Sequence, residues 1–241
     1  MKLTGNKILI TGGATGIGSG LTQRFIQERN TVIICGRREA ALKEATQKFP
    51  SVITRACDLS LASERQNLFN WIVTEHNDLN VLVNNAGIQQ WMSVFDDDFF
   101  QRAKDEIAIN IEAPLHLTSL FLDLPSLNTV INVTSGLAFA PLAKAPVYCA
   151  SKAFLHSFSL SLRYMLRTKN IVVIELIPPA LNTDLGGKGI HDEFPLIDGF
   201  IESTFEQLNA GKLAITWGFS DAMLKAGPEE LQKAFARMNP A

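Results

Sequence analysis

Short runs of Val, Ile and Leu alternate along the chain with longer segments in which apolar residues return at helical spacing. The short runs are apolar at consecutive positions, as in strands covered by helices on both faces, so the alternation reads as βαβ units around a parallel sheet. They predict strands at Lys7–Thr11, Thr31–Cys35, Val52–Ala56, Val81–Asn84, Thr129–Val133 and Ile171–Ile177, with a weaker seventh at Leu213–Trp217. Helices are expected near Ile17–Glu28, Glu39–Phe49, Ala62–Glu75, Phe99–Phe121 and Val147–Leu166, with a final amphipathic one at Pro228–Met238. Pro114 should break or kink the fourth, because proline has no N–H to donate. From Pro178 to Gly211 the rhythm gives way to Pro, Gly and mixed polarity, as in an irregular insertion. The expected fold is a single α/β domain over 1–241, a doubly wound parallel sheet of about seven strands. Segment 178–211 is a candidate substrate lid, with a static loop or packed helix as the alternative.

The first strand runs directly into Thr11-Gly12-Gly13-Ala14-Thr15-Gly16-Ile17-Gly18, and a helix follows. Glycines at this spacing allow a sharp turn and close approach of backbone to a pyrophosphate, which the helix N-terminus would favour. An ordinary βα turn is the competing reading. The second strand ends in Gly36-Arg37-Arg38, where folds that select NAD usually carry an acid for the ribose hydroxyls. Cations at the start of a helix are disfavoured by about 0.3–1 kcal/mol each. A 2′-phosphate would reverse that preference and suit a guanidinium fork. NADP(H) is therefore favoured over NAD(H), with a solvated arginine pair as the alternative.

Tyr148 and Lys152 stand four residues apart on a predicted helix, which puts phenol and ammonium on one face. A nearby cation favours the phenolate and would bring tyrosine toward a working pKa. Upstream, Ser135 closes the fifth strand, Asn84-Asn85-Ala86-Gly87 ends the fourth, and Asn110 lies within a helix. In this order and spacing these residues resemble the short-chain dehydrogenase/reductase family, over Lys2 to about Asp184. The stretches 84–89, 110–118, 135–157 and 235–240 resemble, more narrowly, its DltE-type bacterial branch.

The resemblance implies hydride transfer between a nicotinamide cofactor and a carbonyl or alcohol. Tyr148 would give or take the proton, Ser135 would polarise the substrate oxygen, and Lys152 would bind the nicotinamide ribose and tune Tyr148. Asn110 would anchor a water. Gly12, Thr15, Gly16, Ile17 and Gly18 would cradle the cofactor phosphates. Arg37 and Arg38 would meet a 2′-phosphate, while Asp58 and Leu59 would lie by adenine. Asn85, Ala86 and Gly87 would line the adenosine ribose, and Pro178 and Thr183 would meet the nicotinamide. The family's usual Pro-Gly after the sixth strand is here Pro178-Pro179, which removes one backbone donor beside that ring.

Composition narrows the partners. Twenty-two basic against 24 acidic residues leave a net charge of -2 and no basic stripe, so neither nucleic acid nor a membrane surface is an expected partner. Met1–Lys7 lacks an apolar leader, and the longest apolar runs are too short to span a bilayer. Cys35, Cys57 and Cys149 form no CxxC and fit reduced thiols in a cytoplasmic protein. The four histidines are scattered, and no metal site is expected. Leu117, Leu120, Phe154, Phe158 and Leu162 exceed the needs of one core-facing stripe. The resemblance implies that their helices pair in a homodimer or homotetramer, though burial on several sides within one chain would look the same. A cofactor-binding sensor that lost turnover is the alternative to an enzyme, but such a sensor need not have kept Tyr148 and Lys152.

Overall fold

The computed structural model describes residues 1–240. Its seven strands are β1 (Lys7–Thr11), β2 (Thr31–Gly36), β3 (Ile53–Ala56), β4 (Val81–Asn84), β5 (Thr129–Val133), β6 (Val172–Ile177) and β7 (Ala214–Thr216). They form one sheet in the order β3-β2-β1-β4-β5-β6-β7, and every pair is parallel. The chain winds outward in both directions from β1 and β4, so these strands flank the topological switch point. In open parallel sheets the crevice beyond the carboxyl ends there receives ligands. Thr11, Asn84 and Val133 end their strands at this edge.

Helices α1 (Gly16–Gln27), α2 (Glu39–Lys48), α3 (Ala62–Glu75), α4 (Phe99–Ile107), α5 (Ala113–Phe121) and α6 (Pro146–Leu166) cover the sheet, followed by α7 (Ile197–Asn209), α8 (Phe219–Lys225) and α9 (Pro228–Met238). Alternate strand residues face opposite sides, which divides the core in two. Ile8, Ile10 and Val83 pack with Phe25, Phe200 and Phe205 on one face; Leu9, Leu82 and Val130 pack with Ile72, Leu117, Phe121 and Leu162 on the other. Phe25 of α1 meets Phe205 of α7 edge-to-face at 4.8 Å.

Three expectations are corrected. The single helix expected at Phe99–Phe121 is two helices joined by a π-turn at Ala108–Glu112, where the Ala113 N–H donates to the Ala108 carbonyl five residues back. Pro114 lies in the first turn of α5, where a missing donor costs least, and it cannot donate to the carbonyl of Asn110. The π-turn absorbs the mismatch. Second, 178–211 is not irregular throughout: α7 occupies its second half, with Phe200, Phe205 and Leu208 in the core. Third, Leu117 and Leu162 are spent in this chain's own core, although Phe154, Leu160, Tyr164 and Met165 on α6 remain exposed.

Candidate active site

The glycine turn is built as its spacing demands. Gly12 and Gly16 both take positive φ, at 65° and 51°, a region that Cβ-bearing residues rarely adopt. A Cβ on Gly12 would lie 3.0 Å from the Ala86 Cα, and one on Gly18 would run into the Gly12 carbonyl. Thr15 caps α1 with its backbone only, so its side chain leaves the first N–H groups of the helix free. Across the switch point, the Thr11 hydroxyl accepts from the N–H groups of Asn85 and Ala86, both at 3.0 Å. The Asn85 amide returns bonds to the carbonyls of Thr11 and Gly12 at 2.9 and 3.2 Å. The two loops are thereby tied into one floor.

At its far end, the Arg38 guanidinium donates to the Thr15 hydroxyl at 3.3 Å, and Arg37 stands 3.9 Å from Asp58. Partial burial pushes the Asp58 carboxyl upward, but bonds from the Ser60 N–H and hydroxyl, with the charge of Arg37, hold it below the usual range. Leu59 offers only its backbone here. Its side chain belongs to the core, and its carbonyl accepts from buried Arg65 at 2.5 Å.

The proton-handling residues converge beyond β5. Ser135 follows that strand in extended conformation, its hydroxyl accepting from the Leu137 N–H at 3.1 Å. Ser135 acts on the Tyr148 phenol, drawing its proton affinity down. Lys152, one turn further along α6, is buried and donates to the Val133 carbonyl at 2.8 Å. Its ammonium lies 5.6 Å from the Tyr148 ring centroid. Asn110 projects from the π-turn: its amide donates to the Ile88 carbonyl at 2.8 Å and the Ser151 hydroxyl at 3.2 Å, while its oxygen accepts from the Ile88 N–H at 2.9 Å. A Cβ on Gly87 would sit 3.3 Å from the Asn110 oxygen and 3.5 Å from the Lys152 ammonium. Thr183 closes over the opposite end, 3.5 Å from the position a Gly16 Cβ would take.

Burial dominates the electrostatics. It lowers the Lys152 ammonium to about 8 and raises the Tyr148 phenol above its ordinary value, with the Ser135 side chain opposing the rise. The expectation that a neighbouring cation brings Tyr148 toward a working pKa is not met in the protein alone, where burial of the phenol raises it.

Around the phenol lies a small apolar cluster of Leu137, Leu142, Ala145, Cys149 and Leu185. Gln89 is buried against the positive-φ turn at Gly186, whereas Leu181 belongs to the main core. Phe139 packs edge-on against His156 at 4.7 Å. Two groups were not anticipated. Buried Glu175 on β6 accepts from the Thr134 hydroxyl at 2.7 Å and pairs with His156 Nδ1 at 2.9 Å, bracing the residue before Ser135. Glu106 is fully buried on α4. No motif marks either one, since a lone carboxylate in a helix or strand ordinarily reads as surface.

A doubly wound sheet, a glycine cradle at its switch point and a Ser-Tyr-Lys set beside it define a dinucleotide-fold oxidoreductase. The family model for short chain dehydrogenase matches residues 6–193, and the chain belongs to that family. It is 41% identical to the "uncharacterized oxidoreductase DltE" of Bacillus subtilis, over 99% of this chain and 98% of that protein. It is 28% identical to the NADP-dependent 3-hydroxy acid dehydrogenase YdfG of Shigella flexneri, over 83% and 81%. The fold is shared with a short chain dehydrogenase from Burkholderia cenocepacia solved with NADP, at TM-score 0.84 and 21% identity over 99% of both chains. Among the described residues no helix is long and apolar enough to cross a membrane.

Proposed function

We propose that the protein is an NADP(H)-dependent reductase or dehydrogenase of small carbonyl or alcohol substrates, with Tyr148 as proton donor and acceptor. The observation that carries this reading is the convergence of Ser135, Tyr148 and Lys152 in a buried pocket walled by Leu137, Leu142 and Leu185. The residues fit a dinucleotide: Gly12 and Gly16 keep open a cradle that any Cβ would strain or fill, at an uncapped helix N-terminus. Gly12, Thr15, Gly16, Ile17 and Gly18 would hold its phosphates, Asp58, Leu59, Asn85, Ala86 and Gly87 its adenosine, and Lys152, Pro178 and Thr183 its nicotinamide end. Arg37 and Arg38 are exposed beside this cradle with one long side-chain contact each among the described residues, free to turn to a 2′-phosphate. The NADP complex and the NADP-dependent relative described above agree with that choice.

When bound, the cofactor supplies or accepts the hydride. The chain does the rest. In reduction, Ser135 donates a hydrogen bond to the substrate carbonyl and Tyr148 passes its phenolic proton to the nascent alkoxide. In oxidation the same proton returns from the alcohol to the phenolate. Lys152 and Asn110 would carry replacement protons toward solvent, and a closing 180–196 segment would exclude water from the pocket. The exposed apolar residues of α6 would meet a second copy in a dimer or tetramer, which a molar mass by light scattering checks. The deciding experiment follows NADPH absorbance across a panel of carbonyls, and NADP+ reduction across alcohols. Turnover lost in Tyr148→Phe supports the reading; absence of turnover with every compound refutes it.

A further inference from the structure

After the turn that ends β4, two glutamines stand side by side and the fold treats them differently. Gln90 is engaged: its N–H donates to Glu106, its amide nitrogen to the Arg102 carbonyl at 3.3 Å, and its side-chain oxygen accepts from the Arg102 guanidinium at 3.1 Å. Gln89 is the more buried of the two, with only 7% of its surface exposed. Yet neither its backbone groups nor its carboxamide has a hydrogen-bond partner among the described residues. Buried amides ordinarily find partners, because an unpaired one forfeits the water it gave up. The Gln89 carboxamide is not sealed away either, since the fully enclosed side-chain atoms without a partner belong to Asn84, Glu106 and Thr204.

The backbone cannot swing to satisfy this residue. Asn110 takes both backbone groups of Ile88, at 2.9 and 2.8 Å, and Glu106 takes the N–H of Gln90. Gln89 is thus pinned from both sides at the edge of the proton-handling set. Two residues before it, a Cβ on Gly87 would come within 3.5 Å of the Lys152 ammonium. At its other end, the Gln89 amide nitrogen lies 3.6 Å from the place a Gly186 Cβ would take. Leu185, next to that glycine, packs with Leu137 and Leu142 around Tyr148. The facing loop does not serve the amide: Asn182 donates to the Asp192 carbonyl at 3.0 Å, and His191 Nδ1 lies 3.3 Å from the Thr183 carbonyl.

We propose that Gln89 is a substrate-binding residue, its carboxamide hydrogen-bonding a second oxygen function, hydroxyl or carboxylate, on a ketone or alcohol substrate.

A carboxamide both donates and accepts, so it can pair with either function. The leucines beside Tyr148 accept the carbon skeleton, and one placed polar group then fixes its orientation. A substrate with a methyl group at that place would leave the amide unpaired in a buried site, which is how such sites discriminate. This inference rests on the reductase or dehydrogenase reading and narrows it to oxygenated substrates.

The test compares ketones of matched shape: hydroxyacetone against butanone, and acetoacetate against methyl isobutyl ketone. Wild-type kcat/KM should favour the oxygen-bearing member of at least one pair by roughly tenfold or more. The ratio should collapse toward one in Gln89→Leu. Gln89→Glu separates the two chemistries, because its charge repels the carboxylate of acetoacetate and can still accept from the hydroxyl of hydroxyacetone. Equal rates within both pairs in the wild type, or a preference that survives Gln89→Leu, overturns the proposal while leaving the oxidoreductase reading intact. A binding measurement on the wild type needs neither variant nor turnover. In glutamine-labelled protein, with and without NADP+, the Gln89 side-chain amide resonances, assigned through the backbone, should move on adding hydroxyacetone or acetoacetate and not on adding butanone. Resonances that stay still with both oxygenated ketones overturn the proposal. Movement without turnover of any compound would refute the enzymatic reading and leave the binding site standing.

Discussion

Lys152 Nζ donates to the Val133 carbonyl, so the last residue of β5 fixes the ammonium that lies beside Tyr148. The bond occupies one of the three ammonium donors and leaves two for other partners. Lys152→Met should weaken NADPH binding, read by fluorescence titration, and lower turnover by roughly a hundredfold or more. A variant with unchanged NADPH affinity would remove the ribose-binding role.

The same burial makes a stability prediction. Lys152 in the fold titrates near 8, below its ordinary 10.5, so between those values the folded state binds fewer protons than the unfolded one. Stability should therefore rise with pH across that window, relative to Lys152→Met, by up to about 3 kcal/mol. Denaturant melts of both proteins at matched pH measure the difference.

Glu106 has the opposite sign. Its folded value of about 7 lies above the ordinary 4.5, so the folded state holds a proton that the unfolded state has lost. Wild-type stability should fall as pH rises from 4.5 to 7, relative to Glu106→Gln, again by about 3 kcal/mol at most. Parallel curves for the two proteins would show that the carboxyl is not desolvated as described.

Arg37→Asp should weaken NADPH by roughly tenfold, a loss of about 1.5 kcal/mol, with little effect on NADH. Calorimetry with both cofactors decides it, and equal losses would place the arginine away from the 2′-phosphate.

Amides in 180–196 should exchange faster than those of the sheet and gain protection with NADPH and substrate together. Gly186, Gly187 and Gly189 all take positive φ there, and the Asn182 N–H bond to the Pro195 carbonyl closes the loop upon itself. Hydrogen exchange equally slow with and without ligands would make this loop scaffold.

The strands were legible because a sheet buried on both faces leaves apolar runs with little ambiguity: β1, β4 and β5 fall at the expected residues. The glycine cradle and the Tyr148–Lys152 spacing were legible because local geometry dictates them. What stayed hidden depended on distant partners. No local pattern says that Leu162 turns to its own core while Tyr164 does not, or that α7 would dock on Phe25 after a stretch rich in Pro and Gly. Glu106 and Glu175 look like surface charges until the neighbouring elements close over them. The rise of Tyr148 is likewise a property of the closed pocket, which helix spacing cannot disclose.

The π-turn at Ala108–Glu112 means that α4 and α5, one continuous rod, are out of phase by one residue, about 100° of rotation. The first part can therefore turn Glu106 inward toward α6 while the second lays Leu117 and Phe121 on the sheet. A uniform helix would satisfy one of these neighbours and misdirect the other. The segment should thus accept many replacements of side chain but no change of length, because its function is written in the count of its residues.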